Sequence, residues 1–343
     1  MSKLNDEYTV EPGQTWEVDL FRPEDAEGVA RCFRAVYGDA YPIKTYYNPN
    51  QLIDASSSGE IYLVVSRTAR GDIISLEAMY RSAPFQKIYE IGMGIVLNEY
   101  RQLGLNTRMI AHIIEVVAPK FNMPLVYGES VCNHVYMQKA SIGLGFISAA
   151  LEVNLMPAEA YDKEKSAEGR VSALLDFLSF HSDPHTVYLP QVYEDALLAI
   201  YSELGYERSH VPSRTELPGG LHSEARTRVF DFAQVARVAV HQVGADFRDF
   251  CDELESRLLA KGAQVVQVWF KLTCPWVGKA VDILRSKGYF LGGILPRWFD
   301  TDGLLMQKIV GRPNWDGIKI HSDWANKILE LVKADWERSG KGP

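Results

Sequence analysis

Residues 91–108, Ile-Gly-Met-Gly-Ile-Val-Leu-Asn-Glu-Tyr-Arg-Gln-Leu-Gly-Leu-Asn-Thr-Arg, carry the most informative chemistry of the chain. An apolar run ends in a polar turn around Gly104, and a helical pattern starts directly behind it. At a strand–turn–helix junction the first backbone N–H groups of the helix have no intrahelical partner, and the positive end of the helix dipole lies there. Together they make a site for an anion, and a phosphate or pyrophosphate is the fitting ligand. Arg101 and Arg108 add positive charge. The stretch lacks the Gly-Lys-Ser/Thr of a P-loop and the Gly-x-Gly-x-x-Gly of a dinucleotide fold.

The spacing of apolar residues predicts the elements that hold this turn. Residues 16–21 alternate as a strand, and Pro23 opens a helix with Val29, Phe33, Val36 and Tyr37 on one face and Gly38 at its end. Strands follow at 61–67, 73–80 and 88–97, the first two joined by a turn at 69–72. Gly92 and Gly94 in the third strand suit a bulge. A helix over 107–121 buries Met109, Ile110, Ile113, Ile114 and Val117; then come a strand at 124–131, a helix at 133–144 closed by Gly145, and a strand at 146–155. The polar residues 158–170 are expected to link two domains, 1–157 and 171–343. The second half reads as a strand run over 227–242, a helix at 246–261, a strand at 264–272, a helix at 275–287, strands at 290–296 and 303–309, and a short strand and helix in 316–338.

The two halves share an order. Helix-Leu144-Gly145-Phe146-strand matches helix-Lys287-Gly288-Tyr289-strand, and Gly205-Tyr206 is a third junction of that kind. Glycine is a common helix stop. The shared strand–helix–strand–helix–Gly-aromatic–strand order argues for duplication over coincidence.

Of 343 residues, 47% are hydrophobic and 23% charged, which excludes disorder, collagen, coiled coil and a disulfide scaffold. The net charge of −8 argues against nucleic acid and anionic membrane as partners. Four cysteines, none in a C-x-x-C pair, and Pro184 between His181 and His185 speak against a metal site. Residues 1–7 hold no apolar signal-peptide stretch, and no run reaches the length of a membrane helix, so a cytoplasmic protein is expected.

The stretch Asn98-Glu-Tyr-Arg-Gln-Leu-Gly-Leu-Asn106 resembles the cofactor loop of the GNAT superfamily of acyl-CoA-dependent N-acyltransferases, patterned Gln/Arg-x-x-Gly-x-Gly/Ala. Arg101, Gly104 and Asn106 stand at the patterned positions, with Asn106 where the family has Gly or Ala, and Leu144-Gly-Phe146 resembles its second signature. The resemblance covers residues 16–155 and implies an α/β (α+β) fold of two GNAT-like domains. Each would be a mixed, mostly antiparallel sheet flanked by helices, the second a degenerate copy. It implies acetyl-CoA as donor, held by Ile95, Val96, Leu97, Arg101, Gln102, Leu103, Gly104, Leu105, Asn106 and Thr107, with Asn133. The acceptor would be a primary amine on a small molecule or a protein.

An ammonium must lose its proton before it attacks a thioester, and Glu90 and Glu129 are the candidate bases. Ser141 stands where many family members place a tyrosine acid, so His134 and Tyr136 are the candidate acids. Asn133 or His134 could equally cap the following helix. Tyr41, Tyr46 and Tyr47 could line an acceptor slot or pack in the core. A non-catalytic acyl-CoA sensor and an interaction scaffold are the alternative readings.

Overall fold

The computed structural model describes residues 8–39, 43–161 and 167–339. Contacts divide the chain into two compact units, Met1–Gly128 and Glu129–Pro343.

In the first unit β1 (Trp16–Leu20), β2 (Ile61–Thr68), β3 (Ile73–Tyr80) and β4 (Tyr89–Val96) pair antiparallel in that order, and β5 (Leu125–Val131) joins β4 in parallel. The helix α1 (Ala26–Tyr37) buries Val29 and Phe33 and ends at Gly38, as its pattern predicts. Its start is fixed by Asp25, which receives Arg67 Nε and Nη2 from β2 at 2.7 and 2.6 Å. Such a bidentate pair is the strong form of a charged hydrogen bond. The helix α2 (Pro49–Ser57) has no counterpart in the sequence reading. Asn48 caps it by accepting from the Asn50 and Gln51 N–H groups, and Pro49 sits at its first position. The helix α3 (Leu105–His112) runs on through a π turn, Ile113–Val117, into α4 (Ala118–Lys120). Both α1 and α3 pack on β3, which is buried along nearly its whole length.

In the second unit α5 (Tyr136–Gly143) precedes the hairpin β6 (Ile147–Met156) and β7 (Val171–Ser179). Next come β8 (His185–Leu189), α6 (Glu194–Leu204) and β9 (Arg208–Pro212), with β8 and β9 in a small parallel sheet. The strands β10 (Glu224–Phe230) and β11 (Val235–Gln242), α7 (Phe247–Ala260), β12 (Val265–Lys271), α8 (Val277–Ser286), β13 (Phe290–Leu295), β14 (Gly303–Ile309) and α9 (Asp323–Ser339) complete it. Its large sheet has the order β7-β6-β13-β14-β12-β11-β10.

Three expectations need correction. The polar segment 158–170 is no domain linker: it joins β6 to β7, which pair antiparallel, and the contacts divide the chain at Gly128 instead. The strand run over 227–242 is a hairpin, because Gln234 turns back at a φ of 54°. Trp315–Gly317 forms a 3-10 turn where a short strand was expected.

The repeat is visible in the pairing. The order β4-α3-β5-α5-β6-β7 matches β11-α7-β12-α8-β13-β14; β4 and β11 pair in parallel with β5 and β12, and each closing pair is antiparallel. Gly145, Gly205 and Gly288 all take positive φ at their helix ends. Each half is thus a mixed, mostly antiparallel sheet flanked by helices, the class that the resemblance implies.

The copies meet where Gly293 of β13 pairs with Ala150 of β6. Gly293 has a φ of 135°, and a Cβ there would stand 2.3 Å from the Ala149 carbonyl oxygen and 2.5 Å from Ala150 Cα. Beyond that pair the buried Gln307 of β14 takes over. Its Nε2 donates to Leu151 O and its Oε1 accepts from Val153 N, both at 2.8 Å. The side-chain amide thus extends the backbone ladder. The helix α9 covers this seam with Ala325, Ile328 and Val332. Among the described residues no helix is long and apolar enough to cross a membrane. Gly293→Val is expected to destabilise the protein by about 2–4 kcal/mol, combining backbone strain with a clash; urea unfolding followed by tryptophan fluorescence measures it.

Candidate functional site

The strand–turn–helix junction forms as the sequence predicts. Gln102 and Gly104 take φ values of 68° and 72°, and Gly104 is the N-cap of α3. A glycine cap offers no side-chain acceptor, so the N–H groups of Leu105, Asn106 and Thr107 are left for a ligand. The first helical bond runs from Arg108 N to Gly104 O at 3.1 Å. Arg101, Gln102, Leu103, Gly104 and Thr107 are exposed, Leu103 to 52%. Ile95, Leu97 and Leu105 are buried and anchor the two sides of the loop, with Val96 packed against the same core. Tyr100 fixes the turn by donating from its hydroxyl to Glu11 O at 2.5 Å. Arg108 lies over the Trp16 ring, 5.2 Å from its centre, so its charge is engaged there. Arg101 is exposed, with Nε 3.4 Å from Val96 O.

The strand leading into the loop is bulged. Leu76 pairs with Ile95 and Ala78 with Gly92, so Glu77 of β3 faces both Met93 and Gly94 of β4. Met93 takes a φ of 60°. The parallel register with β5 covers residues 89–91, while β4 itself runs on to Val96. Its backbone from Gly92 onward lies outside that ladder, which suits the amide-bearing arm of an acyl-CoA. Glu77 is buried and accepts from Asn106 Nδ2 at 2.7 Å.

Glu90 lies one residue into β4 and is buried. Tyr80 donates to its Oε1 at 2.5 Å, Ser82 donates to its Oε2, and Ser82 in turn meets the Tyr127 hydroxyl. Glu90 is therefore the end of a chain of hydroxyls contributed by β3, the segment behind it and β5. Sequence reasoning missed Glu77, Tyr80, Ser82 and Tyr127. The available signal was Ser75 and Glu77 inside a strand otherwise apolar on both faces.

The other expected site residues lie in the second unit. Glu129 pairs with Arg237 Nη2 at 2.7 Å. The same guanidinium holds the buried Glu152 at 3.0 Å and donates from Nε to Gln267 at 2.9 Å. Glu129 thus belongs to an ion-pair network. The helix α5 starts at Tyr136 with Val135 as N-cap and no side-chain cap, so neither Asn133 nor His134 caps it as expected. Asn133 is buried; the His134 ring lies 5.1 Å from that of Tyr136, which is 74% exposed.

Ser141 is committed to a buried carboxyl. Asp176 accepts from Ser130 and Ser148 at 2.5 Å each, and Ser141 meets Ser130 at 3.3 Å. Burial pushes the Asp176 carboxyl up to about 6, against the pull of hydrogen bonds from Ser130, Ser148 and Ser141.

In the second copy the turn before α7 is built differently. Asp246, the N-cap of α7, accepts from Ser223 N at 2.9 Å and Ser223 Oγ at 2.8 Å, and Gly244 N donates to Ser223 Oγ at 3.0 Å. A Cβ on Gly244 would stand 1.9 Å from Leu221 O. A carboxylate bonded to Ser223 and a crossing backbone thus crowd the turn before α7. His185 contacts Asp183 O at 2.8 Å and lies 3.5 Å from Asp302. Burial pushes Asp302 up, but His185 and Arg208 outweigh it and hold the carboxyl down at about 2. Tyr46 is buried and stacks on Phe33 at 4.5 Å, and Tyr47 meets the same ring edge-on, so both pack with the core; Tyr41 lies outside the described residues.

No family model matches the sequence. No curated protein matches it either. Solved structures that align with about half of the chain include the ribosomal-protein-S5-alanine acetyltransferase of Vibrio fischeri. It is 15% identical over 50% of this chain and 95% of that one, with a TM-score of 0.39. An N-acetyltransferase of Staphylococcus aureus Mu50 is 11% identical over 49% and 99%, with a TM-score of 0.40. A spermidine/spermine N-acetyltransferase of Vibrio cholerae is 12% identical over 48% and 95%, with a TM-score of 0.37.

A raised carboxyl favours folding at low pH, a contribution present below the ordinary aspartate range and lost as pH rises through about 6. Asp176→Asn removes that loss. Its stability relative to the unsubstituted protein should therefore improve by about 1 kcal/mol between pH 5 and 7.5; paired urea titrations at the two pH values measure the difference.

Proposed function

We propose that the first copy is an N-acyltransferase that moves an acetyl group from acetyl-CoA to a primary amine. The single observation that carries this reading is the bulged β4 running into a glycine-capped helix whose first N–H groups are open. The fit to the donor is chemical. The three N–H groups of residues 105–107 suit a diphosphate, and the β4 backbone beyond residue 91 suits the amides of a pantetheine arm. When bound, acetyl-CoA supplies the acyl group as an activated thioester.

Glu90 is the proton acceptor in this reading. Its carboxylate is set by Tyr80 and Ser82, and the hydroxyl chain to Tyr127 offers a route along which a proton from the ammonium can be passed. The freed amine forms the new C–N bond as the C–S bond breaks, and the departing thiolate takes up a proton. Ser141 does not supply that proton while it serves Asp176. The same observation supports a second reading, a protein that binds acyl-CoA without turning it over. The acceptor is a small-molecule or protein amine, and the protein acts in the cytoplasm.

Calorimetric titration with acetyl-CoA tests the donor site. No atom lies within 4 Å of a Cβ at Gly104, but its φ of 72° strains any side chain there, so Gly104→Glu should cost about 1–2 kcal/mol of stability, checked by urea unfolding, and should abolish binding by placing a carboxylate over the helix start. Unchanged affinity would overturn the site. Thiol release across a panel of amines separates enzyme from sensor. Glu90→Gln is expected to lower turnover by about 10²–10⁴-fold with little change in donor affinity; an unaltered pH–rate profile removes Glu90 as base.

A further inference from the structure

Asn106 occupies the position where the resembling family keeps a residue with almost no side chain, and its side chain is not idle. It reaches back under the loop to Glu77 Oε2 at 2.7 Å. Glu77 stands opposite the β4 bulge and is buried, with 2% exposure. The space for this pair exists because residue 94 is glycine: a Cβ there would stand 2.5 Å from Glu77 Oε2 and 2.9 Å from Asn106 Nδ2. One turn further along α3, Ser75 Oγ meets Met109 Sδ at 3.4 Å. Two successive inward-facing residues of β3, Ser75 and Glu77, therefore grip two residues of α3 that are three apart.

The grip bears on the anion seat because Asn106 plays two parts. Its backbone N–H is one of the three open donors at the helix start, and its side chain is the one held from below. Fixing the side chain fixes the peptide that presents the N–H. A charged carboxylate beneath an anion seat would repel the ligand. Burial pushes the Glu77 carboxyl well above the usual carboxylate range, which favours the neutral form that a diphosphate can tolerate.

We propose that Glu77 is the positioning residue of the diphosphate seat, acting through its hydrogen bond to Asn106. Gly94 is the residue that makes room for both. The proposal rests on the acyl-CoA reading of the loop and deepens it, since it gives the departure at residue 106 a purpose. Glu77 touches no ligand; it sets the donor that does.

The test is calorimetric titration of the full chain with coenzyme A, for the unsubstituted protein, Glu77→Ala, Glu77→Gln, Asn106→Ala and the double variant Glu77→Ala/Asn106→Ala. Each alanine variant should weaken binding by about tenfold, the scale of one buried hydrogen bond. The double variant should be no weaker than the weaker single one, because both remove the same contact. Glu77→Gln keeps an acceptor and should bind within about twofold of the unsubstituted protein. Equal affinity in Asn106→Ala, additive losses in the double variant, or a Gln variant as damaged as the Ala variant overturns the proposal.

Amide hydrogen exchange at residues 108–110, where the α3 ladder begins with Arg108 N bonded to Gly104 O, measured without ligand, gives the second readout. Exchange there should quicken in Asn106→Ala and Glu77→Ala and stay slow in Glu77→Gln, with β2 unchanged in all of them. If coenzyme A does not bind the unsubstituted protein, the cofactor reading falls. The grip is then decided by exchange alone, and unchanged exchange in Asn106→Ala overturns it.

Discussion

An extra residue in β4 sets the geometry of the first unit. Two strands in perfect register would carry β4 straight past the start of α3. The bulge at residues 92–94 instead gives β4 one residue more than β3 over the same span. Met93 absorbs the change at a positive φ, and glycine on either side leaves room for the Tyr80 hydroxyl at one position and for Glu77 with Asn106 at the other. Glu90 with its hydroxyl partners and the glycine-capped start of α3 lie on either side of this irregularity along β4.

At several other buried polar groups the partner sets what the group is tied to. Glu90 accepts from the Tyr80 and Ser82 hydroxyls. Glu129 is bound by Arg237, which ties it into a network with Glu152 and Gln267. Ser141 is bound to Asp176. The second copy shows the limit of the same logic. Asp246, the N-cap of α7, accepts from Ser223 and not from the helix's own N–H groups.

Much of the architecture was legible because it rests on local patterns. The faces of α1 and α3, the glycine ends at Gly145 and Gly288, the bulge between Gly92 and Gly94 and the turn at Gly104 all follow from spacing and from glycine's freedom of φ. Contacts between distant residues were not legible. Nothing near Asn106 names Glu77, twenty-nine positions away, and Ser82 reveals its role only when β4 and β5 bring Glu90 and Tyr127 beside it. The hairpin of β10 and β11 was read as one strand because its turn, residues 231–234, holds no glycine or proline. The segment 158–170 was read as a linker because polarity marks a loop without saying what it joins.

The join between Gly293 and Ala150 has a meaning for the life of the protein in a crowded solution. A sheet that ends in an open strand offers its unpaired backbone to any other chain with a free edge, and growth from such edges is a route to aggregates. In each copy the closing hairpin would leave one strand of this kind, β6 in the first and β13 in the second. Here the two are spent on each other, with Gln307 completing the pairing where β13 runs out. The outer strand of the second unit is β10, which carries Glu224, Arg226 and Arg228; that of the first is β1, which carries Glu17 and Asp19. Charges at those positions discourage the stacking that the buried strands invite. Duplication has thus let one copy act as the other's guard against self-association, a role that would be kept even if its own ligand site were lost.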